Sequence, residues 1–157
     1  MSTIHWHTKI FNELTVEELY DILKLRTDIF VVEQNCAYPE LDDKDKKCLH
    51  IYATVKGKVV ASSRIVPPGL SYPQISIGRV AVHPDYRKGG TGRALMQHSI
   101  EKIAEEFGEQ DIQIGAQCYL RGFYESLGFE SASDDYVEDG IPHVDMIRKA
   151  KKYWNKL

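Results

Sequence analysis

The segment from Arg87 to Gly92 carries residue types that could bind a phosphate group. It reads Arg-Lys-Gly-Gly-Thr-Gly and stands directly before an amphipathic stretch that runs to Phe107. The first amides of a helix lack intrahelical partners, and the helix dipole adds partial positive charge beside them. Gly90 and Gly92 would let the main chain approach an anion without an intervening Cβ. The spacing therefore predicts a main-chain site for a pyrophosphate, although a tight strand-to-helix turn would use the same glycines.

Two other phosphate-binding patterns are excluded at this segment. A P-loop would place a Lys-Ser or Lys-Thr pair after the last glycine, where this chain has Arg93 and Ala94. The dinucleotide pattern GxGxxG is also incomplete, because its first glycine is missing.

The elements around this segment predict a mixed sheet with helices on its faces. Alternating or β-branched residues indicate strands at 4–10, 50–55, 59–65, 74–82, 112–116, from 129 and at 144–147. Apolar periodicity and end signals indicate helices at 15–30, 87–107 and 120–127, and residues 33–48 are expected to form a polar loop. Antiparallel strands followed by a βαβ crossover place the chain in the α/β class, with a mixed sheet.

Two local signals within these elements are specific. Thr15 followed by Glu18 forms the pattern of a capping box, which predicts the start of the first helix. Lys56-Gly57 separates two strand-like runs, which predicts a hairpin with a two-residue turn.

Composition bounds the class of protein. The 157 residues suit one domain, 1–157, with a basic tail at 149–157. A net charge of −3 gives no reason to expect nucleic acid or an anionic membrane as a partner. No apolar run is long enough to span a bilayer, and the N-terminus lacks a signal-peptide pattern. Because Cys36, Cys48 and Cys118 have no paired spacing, we expect reduced thiols, no metal site and a cytoplasmic location.

The glycine-containing segment resembles the acetyl-CoA signature of the GCN5-related N-acetyltransferase (GNAT) family. The pattern is Arg87-x-x-Gly90-x-Gly92, preceded by Val80-Ala81-Val82-x-Pro84. A second segment, Phe-Tyr-Glu-Ser-Leu-Gly-Phe at 123–129, is similar to the helix-to-strand segment after the fifth strand of that family. Similarity to the bacterial ElaA-like branch covers most of residues 4–148, including 30–36, 77–80, 115–117 and 138–143.

The resemblance implies an enzyme that moves the acetyl group of acetyl-CoA directly to an amine. The fourth strand would splay from the fifth, and main-chain groups of Val80, Ala81 and Val82 would bind the pantetheine arm. An amide near Val80 would also polarise the thioester carbonyl. The pyrophosphate would lie on the loop formed by Arg87, Lys88, Gly89, Gly90, Thr91, Gly92 and Arg93.

The resemblance also implies roles for two side chains. Tyr124 stands where the family has the phenol that protonates the leaving thiolate, although it would also suit a core position that only hydrogen-bonds the cofactor. Gln117 stands at the end of a strand, where relatives often place an Asn that contacts the cofactor.

The general base is not given by the resemblance. Many relatives carry a glutamate on the fourth or fifth strand, but the corresponding residues here include no carboxylate. The candidates are Glu33, His143, Glu138 and Asp145, and we also expect Glu33 and Asp145 to bind the acceptor. Arg79 would be costly to bury alone, so we expect it to pair with one of these residues or to bind an acidic group of the acceptor.

Two other classes of function remain open from the sequence. A member without turnover would bind acyl-CoA as a sensor, and an interaction module would use the fold and the tail from Lys149 to Lys156 to bind a partner. The acceptor is expected to be an amine of a small molecule or a peptide. Acidic residues at 33–45 and 134–145 favour a cationic acceptor. We expect a monomer or a homodimer.

Overall fold

The computed structural model describes residues 2–151, which contain eight strands and three α-helices. The strands are β1 (His5–Ile10), β2 (Leu49–Val55), β3 (Lys58–Val66), β4 (Ile75–Val82), β5 (Ile112–Gln117), β6 (Phe129–Ser131), β7 (Tyr136–Glu138) and β8 (Ile141–Arg148). The helices are α1 (Val16–Thr27), α2 (Thr91–Phe107) and α3 (Arg121–Glu125).

All eight strands form one mixed sheet, which confirms the predicted fold class. The order is β1-β2-β3-β4-β5-β8-β6, and β6 and β7 pair with successive parts of β8. β4 and β5 are parallel and are joined through α2, whereas the other neighbouring strands are antiparallel. The sequence analysis missed β7, because residues 132–140 are mostly polar and contain turn-forming residues.

The hairpin and the capping box have the predicted geometry. Lys56 and Gly57 connect β2 to β3 with φ angles of +50° and +74°, as a two-residue turn of the primed type requires. At the start of α1, the Glu18 amide donates to Thr15 Oγ1 at 3.1 Å, and the Thr15 amide donates to Glu18 Oε1 at 2.9 Å. Both features depend on residues that are close in sequence.

A π-helical turn, Asp28–Glu33, continues α1 beyond its last α-helical residue. It carries Ile29 and Phe30 into a small core with Leu25 and Ala81. The apolar stripe that predicted a helix as far as residue 30 is therefore real, but its last turn is wider than an α-helical turn. This turn ends with Glu33 at the edge of the cleft described below.

Residues 34–43 of the predicted polar loop are irregular, as expected, but two carboxylates of the segment are buried. Glu40 and Asp45 are buried, and Lys44–Lys47 forms a 3₁₀ turn. The sequence analysis missed this because a run of Asp and Lys residues usually lies in solvent. The burial is possible because Arg26 of α1 and arginines of the sheet pair with the two carboxylates.

A β-bulge in β4 changes which residues face each side of the sheet. The register against β3 shifts by one residue there, and Arg79 has a φ of +49°. Before the bulge, Ile75 and Ile77 belong to the large core that contains residues of α2. After it, Ala81 belongs to the small core of α1. α1 and α2 therefore cover opposite faces of the sheet.

Residues 152–157 of the predicted basic tail lie outside the described residues. At its beginning, Lys149 Nζ lies 3.2 Å from Asp111 Oδ2, and the Lys151 amide donates to Glu109 Oε1 at 3.0 Å. In the described part of the chain, no helix has the length and apolar character needed to cross a membrane.

Candidate active site

A cleft opens where β4 and β5 separate. The two strands pair only at Ile75–Ile112 and Ser76–Gln113, near their beginnings. Beyond these pairs they diverge beside a cleft of about 660 Å³. The cleft runs from the start of α2 to the turn between β7 and β8. This separation is the one that the resemblance implies.

Main-chain groups of β4 face the cleft. The His83 amide donates to the Val60 carbonyl at 2.8 Å, so the chain at His83 is bonded toward β3. Because the hydrogen-bonding direction alternates along a strand, the main-chain groups of Ala81 also point to β3. Those of Val80 and Val82 point to the side from which β5 has separated. Two of the three predicted residues thus present hydrogen-bonding groups to the cleft.

The start of α2 lies at one end of the cleft and has no side-chain cap. Gly90 is the N-cap residue, with a φ of +85° that favours glycine, and the first turn has no acidic residue. The first amides of α2 are therefore available to an anion. Gly92 lies against Val82 and Phe123, with space for a Cβ in ordinary contact with both. Of the other predicted loop residues, Lys88, Gly89 and Arg93 are exposed and Thr91 is buried.

Residues 33–36, which we call the strap, are tied to both sides of the cleft. The Glu33 carboxylate accepts two hydrogen bonds of 2.7 Å from the Arg87 guanidinium in the loop before α2. The side-chain amides of Gln34 and Gln117 are joined by reciprocal hydrogen bonds of 3.1 and 3.2 Å. Gln117, predicted to contact a cofactor, therefore binds the strap in this structure.

The strap contacts also determine the charge of Glu33 and the hydrogen bonding of Arg87, two of the predicted site residues. The hydrogen bonds from Arg87 lower the pKa of Glu33, against a smaller opposing effect of burial. A carboxylate that is held ionised in this way is a weak base. Arg87 Nε also donates to the Val82 carbonyl at 3.0 Å, so it covers one main-chain acceptor of β4. A third contact, from Cys36 Sγ to the Asp139 carbonyl at 3.4 Å, joins the strap to the β7–β8 turn.

Tyr124 is buried and lines the cleft. Its ring packs edge-on against Phe123 and Phe129, with centroids 5.2 and 5.9 Å away. Burial raises the pKa of Tyr124 to about 12, and Tyr119 adds to the rise. The raised pKa keeps the hydroxyl protonated, and because it makes no hydrogen bond within residues 2–151 it is available to a ligand.

His143 lines the other end of the cleft. Its Nδ1 lies 2.7 Å from the Ile141 carbonyl oxygen. Because a carbonyl can only accept, Nδ1 carries the proton of the neutral ring and Nε2 carries the free lone pair. Nε2 lies 3.7 Å from Glu138 Oε2, and the ring stacks on Tyr136. The side chain is therefore in the tautomer that can accept a proton at Nε2.

Asp145 lies in a cluster of oxygen atoms above Gly115 of β5. Its Oδ1 accepts a hydrogen bond of 2.6 Å from the Tyr136 hydroxyl. A Cβ on Gly115 would lie 2.6 Å from the Tyr72 hydroxyl, 3.3 Å from the Tyr136 hydroxyl and 3.8 Å from Asp145 Oδ1. We call these three side chains the oxygen cluster. Gly115 lines the cleft, and the Tyr72 hydroxyl fills the place beside it that a side chain would take.

Arg79 has different partners from those predicted. The sequence analysis placed its partner among the acids near residues 33 and 138–145. Its Nε instead donates to Glu40 Oε2 at 2.9 Å, and its Nη2 lies 3.4 Å from Asp42 Oδ2. The guanidinium also lies over the ring of Tyr38, 5.6 Å from the centroid.

These contacts are part of a closed ring of alternating charges on the α1 side of the sheet. We call it the charge ring; in order, it consists of Arg26, Glu40, Arg79, Asp42, Arg64 and Asp45. The four ion pairs not yet described have N–O distances of 2.6, 2.7, 2.6 and 3.0 Å. Three arginines balance three carboxylates, so most of the acids at 33–45 that favoured a cationic acceptor are neutralised within the protein.

The charge ring holds its carboxylates ionised. Burial by itself would raise the pKa of Asp42, but the hydrogen bonds and charge of Arg64 hold it well below its usual value. In the same way, Arg26 and Arg64 outweigh burial and lower the pKa of Asp45. The sequence offered one signal of the charge ring, which was the cost of burying the Arg79 side chain without a partner. It gave no means of choosing among the acids, and it gave no signal for Tyr72 or Tyr136.

Comparisons with known proteins agree with this geometry. A family model described as "Acetyltransferase (GNAT) domain" matches residues 25–150. The UPF0039 protein C11D3.02c of Schizosaccharomyces pombe is 47% identical over 148 residues, which cover 93% of this chain and 97% of that protein. Protein ElaA of Escherichia coli is 36% identical over 148 residues, with 93% and 97% covered.

Two crystal structures are similar over nearly the whole chain. That of E. coli ElaA has a TM-score of 0.88, with 94% of this chain and 100% of that chain covered. That of an acyl-CoA N-acyltransferase from Pseudomonas aeruginosa has a TM-score of 0.87 and 35% identity, with 92% and 99% covered. The chain therefore belongs to the N-acetyltransferase (GNAT) family, within which it is similar to ElaA.

Proposed function

We propose that this protein is an N-acetyltransferase that moves the acetyl group of acetyl-CoA to an amine acceptor. The observation that carries the proposal is the separation of β4 from β5 beside an uncapped helix start. Main-chain groups of Val80 and Val82 suit the amides of a pantetheine arm, and the main chain from Arg87 to Gly92 suits a pyrophosphate. The P. aeruginosa structure, an acyl-CoA N-acyltransferase, supports the same class of cofactor.

The proposed chemistry is a direct transfer in which the amine attacks the acetyl group. When bound, acetyl-CoA supplies that group activated as a thioester. The amide of Val80 would donate to the carbonyl oxygen and stabilise the charge that develops there. As the bond from nitrogen to carbon forms and the bond from carbon to sulfur breaks, one proton leaves the amine and another reaches the thiolate.

Tyr124 is the proposed general acid. Its hydroxyl is protonated, because the pKa is raised to about 12, and it lies on the cleft wall without a protein partner in the described residues. The conjugate acid of a free thiolate has a pKa of about 8.5, below that of Tyr124, so the proton transfer is uphill by itself. The hydroxyl would act by donating a hydrogen bond to sulfur as negative charge builds there, and any tyrosinate that forms would be reprotonated from solvent.

His143 is the proposed general base. Its Nε2 lone pair faces the cleft end at which Glu138 lies, and Glu138 would stabilise the imidazolium that forms. Glu33 is less suited to this task, since Arg87 holds its carboxylate in two hydrogen bonds. We assign Glu33 to holding the strap across the cleft, where it borders the acceptor. We further propose that the enzyme acts in the cytoplasm as a monomer or homodimer.

The test is a screen of acetyl-CoA turnover across amine classes, read as free thiol, together with calorimetry of coenzyme A binding. The Tyr124→Phe variant should lower kcat at least about tenfold while the affinity for coenzyme A stays within about twofold. Tyr20→Phe is the matched control, because Tyr20 is 68% exposed on α1. Near-normal turnover in Tyr124→Phe would remove the general acid.

Two further outcomes separate the alternative functions. If the protein binds coenzyme A but releases no thiol with any amine, it is a sensor rather than an enzyme. If it shows no heat of binding for coenzyme A, the proposed cofactor site at the start of α2 is wrong.

A further inference from the structure

Two consecutive residues of the strap hold the two side chains that the proposed cofactor would also use. Glu33 accepts hydrogen bonds of 2.7 Å from both terminal nitrogens of Arg87, and Gln34 and Gln117 are joined through their side-chain amides. Arg87 begins the loop proposed for the pyrophosphate, and Gln117 ends β5 on the cleft. In this structure the strap therefore occupies both of these groups.

The Glu33 carboxylate binds Arg87 in the way that a phosphate would. A guanidinium binds either group through the same pair of parallel N–H donors. Here this pair is directed at the two carboxylate oxygens, while Nε donates to the Val82 carbonyl at 3.0 Å. That carbonyl is one of the main-chain groups proposed for the pantetheine arm. All three hydrogen bonds of Arg87 are therefore made to groups that border the proposed cofactor site.

The ion pair is weak enough to be exchanged. The side chains of Arg87 and Glu33 are 41% and 42% exposed, and an exposed pair changes an equilibrium by at most about fivefold. A pyrophosphate carries more negative charge than one carboxylate, and the uncapped amides at the start of α2 offer it further donors. Arg87 can therefore leave Glu33 for a phosphate, but the broken contact reduces the affinity that is gained.

The amide pair is the uncharged counterpart of this contact. The oxygen and the nitrogen of the Gln117 amide are both engaged by Gln34, at 3.1 and 3.2 Å. Gln117 lies on β5, whereas Arg87 lies on the loop that follows β4. Because Glu33 and Gln34 are neighbours, one short segment holds a side chain on each side of the separated strands.

We propose that Glu33 and Gln34 are internal competitors of coenzyme A, which release Arg87 and Gln117 when the cofactor binds. The proposal rests on the function proposed above and adds how the affinity for the cofactor is set. The strap lowers that affinity, and its side-chain contacts to both sides of the cleft are exchanged for contacts to the cofactor.

The experiment is a double-mutant cycle in which calorimetry measures the Kd of coenzyme A for the full chain. Glu33→Gln preserves the size of the side chain but removes the charge that holds Arg87, so the Kd should fall about threefold. In the Arg87→Met background the same change should alter the Kd by less than about 1.5-fold, because no guanidinium remains to be released. Gln34→Ala should lower the Kd by about twofold, since it breaks only an uncharged pair.

Asp85→Asn is the matched control for charge. It removes one carboxylate two residues before Arg87, and that carboxylate faces His83, 3.9 Å away, rather than the guanidinium. The Kd of this variant should stay within about 1.5-fold of the wild type, because exposed charges act weakly through solvent. Thermal melts confirm that each variant is folded.

The opposing outcomes are distinguishable. A Kd that rises in Glu33→Gln would mean that Glu33 positions Arg87 for the cofactor rather than competing for it. An equal fall with and without Arg87, or in Asp85→Asn, would reduce the effect to general charge repulsion. An unchanged Kd would reject the competition and leave the cofactor site intact, whereas no heat of binding in the wild type would remove the proposed function as well.

Discussion

The two sides of the cleft carry similar acidic residues and use them differently. On the side of α1, every carboxylate of the charge ring is paired with an arginine. On the side of β5, β7 and β8, Asp145 and Glu138 face phenols and a histidine instead. Paired charges fix a segment of the chain, whereas charges without a counter-ion are available to a ligand. The comparison therefore separates a structural region, whose charges are neutralised internally, from a region whose carboxylates have no lysine or arginine partner among residues 2–151.

Burial explains why the charge ring must be complete. Arg26, Glu40 and Arg64 are each less than 5% exposed, so none of them can be solvated in place of its partner. Removing water from a charge costs several kcal/mol, and only close opposite charges offset that cost. Asp145 of the oxygen cluster is only half-buried, so its carboxylate is tolerated without an arginine or lysine partner among the described residues.

The largest predicted effect is the loss of stability when the charge ring is broken. Arg26→Met should lower the free energy of unfolding by about 3–5 kcal/mol, because it leaves Glu40 and Asp45 buried without their shared partner. Urea denaturation measures this change. Lys24→Met is the control on the same helix, since the Lys24–Asp28 pair is exposed, and it should have a much smaller effect. Equal losses in the two variants would contradict the distinction between buried and exposed charges.

A smaller loss in the free energy of unfolding is expected when the pH is lowered. The pKa values of Asp42 and Asp45 are lower in the folded protein than in the unfolded chain, where Asp has a pKa of about 3.9. Their contribution to stability is therefore complete above that pKa and is lost as the pH falls below it. Unfolding by urea should become easier by about 1–3 kcal/mol between pH values of about 6 and 3. Asp45→Asn should be less stable at neutral pH and should flatten this decline; an unchanged acid slope would argue against the charge ring as its source.

The smallest effect on stability is expected at the strap. Glu33→Gln removes an exposed ion pair with Arg87, so the free energy of unfolding should change by less than about 1 kcal/mol. In this variant Arg87 is released from Glu33. Because Arg87 also donates to the Val82 carbonyl, we expect the KM for acetyl-CoA to change while the melting temperature stays nearly constant. Gln34→Ala, which loosens the strap without releasing Arg87, is the comparison. A large loss of stability in Glu33→Gln would place the strap with the structural region instead.

Much of the fold could be predicted because its signals are local. The Lys56-Gly57 turn and the Thr15–Glu18 capping box each act within four residues, and the strands and helices follow from the periodicity of apolar residues. The resemblance to the GNAT family added the separation of β4 from β5 and the loop before α2, since both accompany one continuous motif. The missed strand β7 has only three residues and pairs at an edge, so its sequence shows little apolar periodicity and little of a local turn or capping pattern.

The sequence by itself determined the mixed sheet through local periodicity, and its resemblance to the GNAT family pointed to the loop before α2 and to Tyr124, because both lie in continuous motifs. Only the tertiary structure decided which charges neutralise each other. Arg26 and Asp45 are separated by 19 residues, and Gln34 and Gln117 by 83. Tyr72 of the β3–β4 connection and Tyr136 of β7 are brought together above Gly115 by the sheet order. Electrostatic pairing depends on distance in space and on burial, and both are properties of the folded chain rather than of any segment of it.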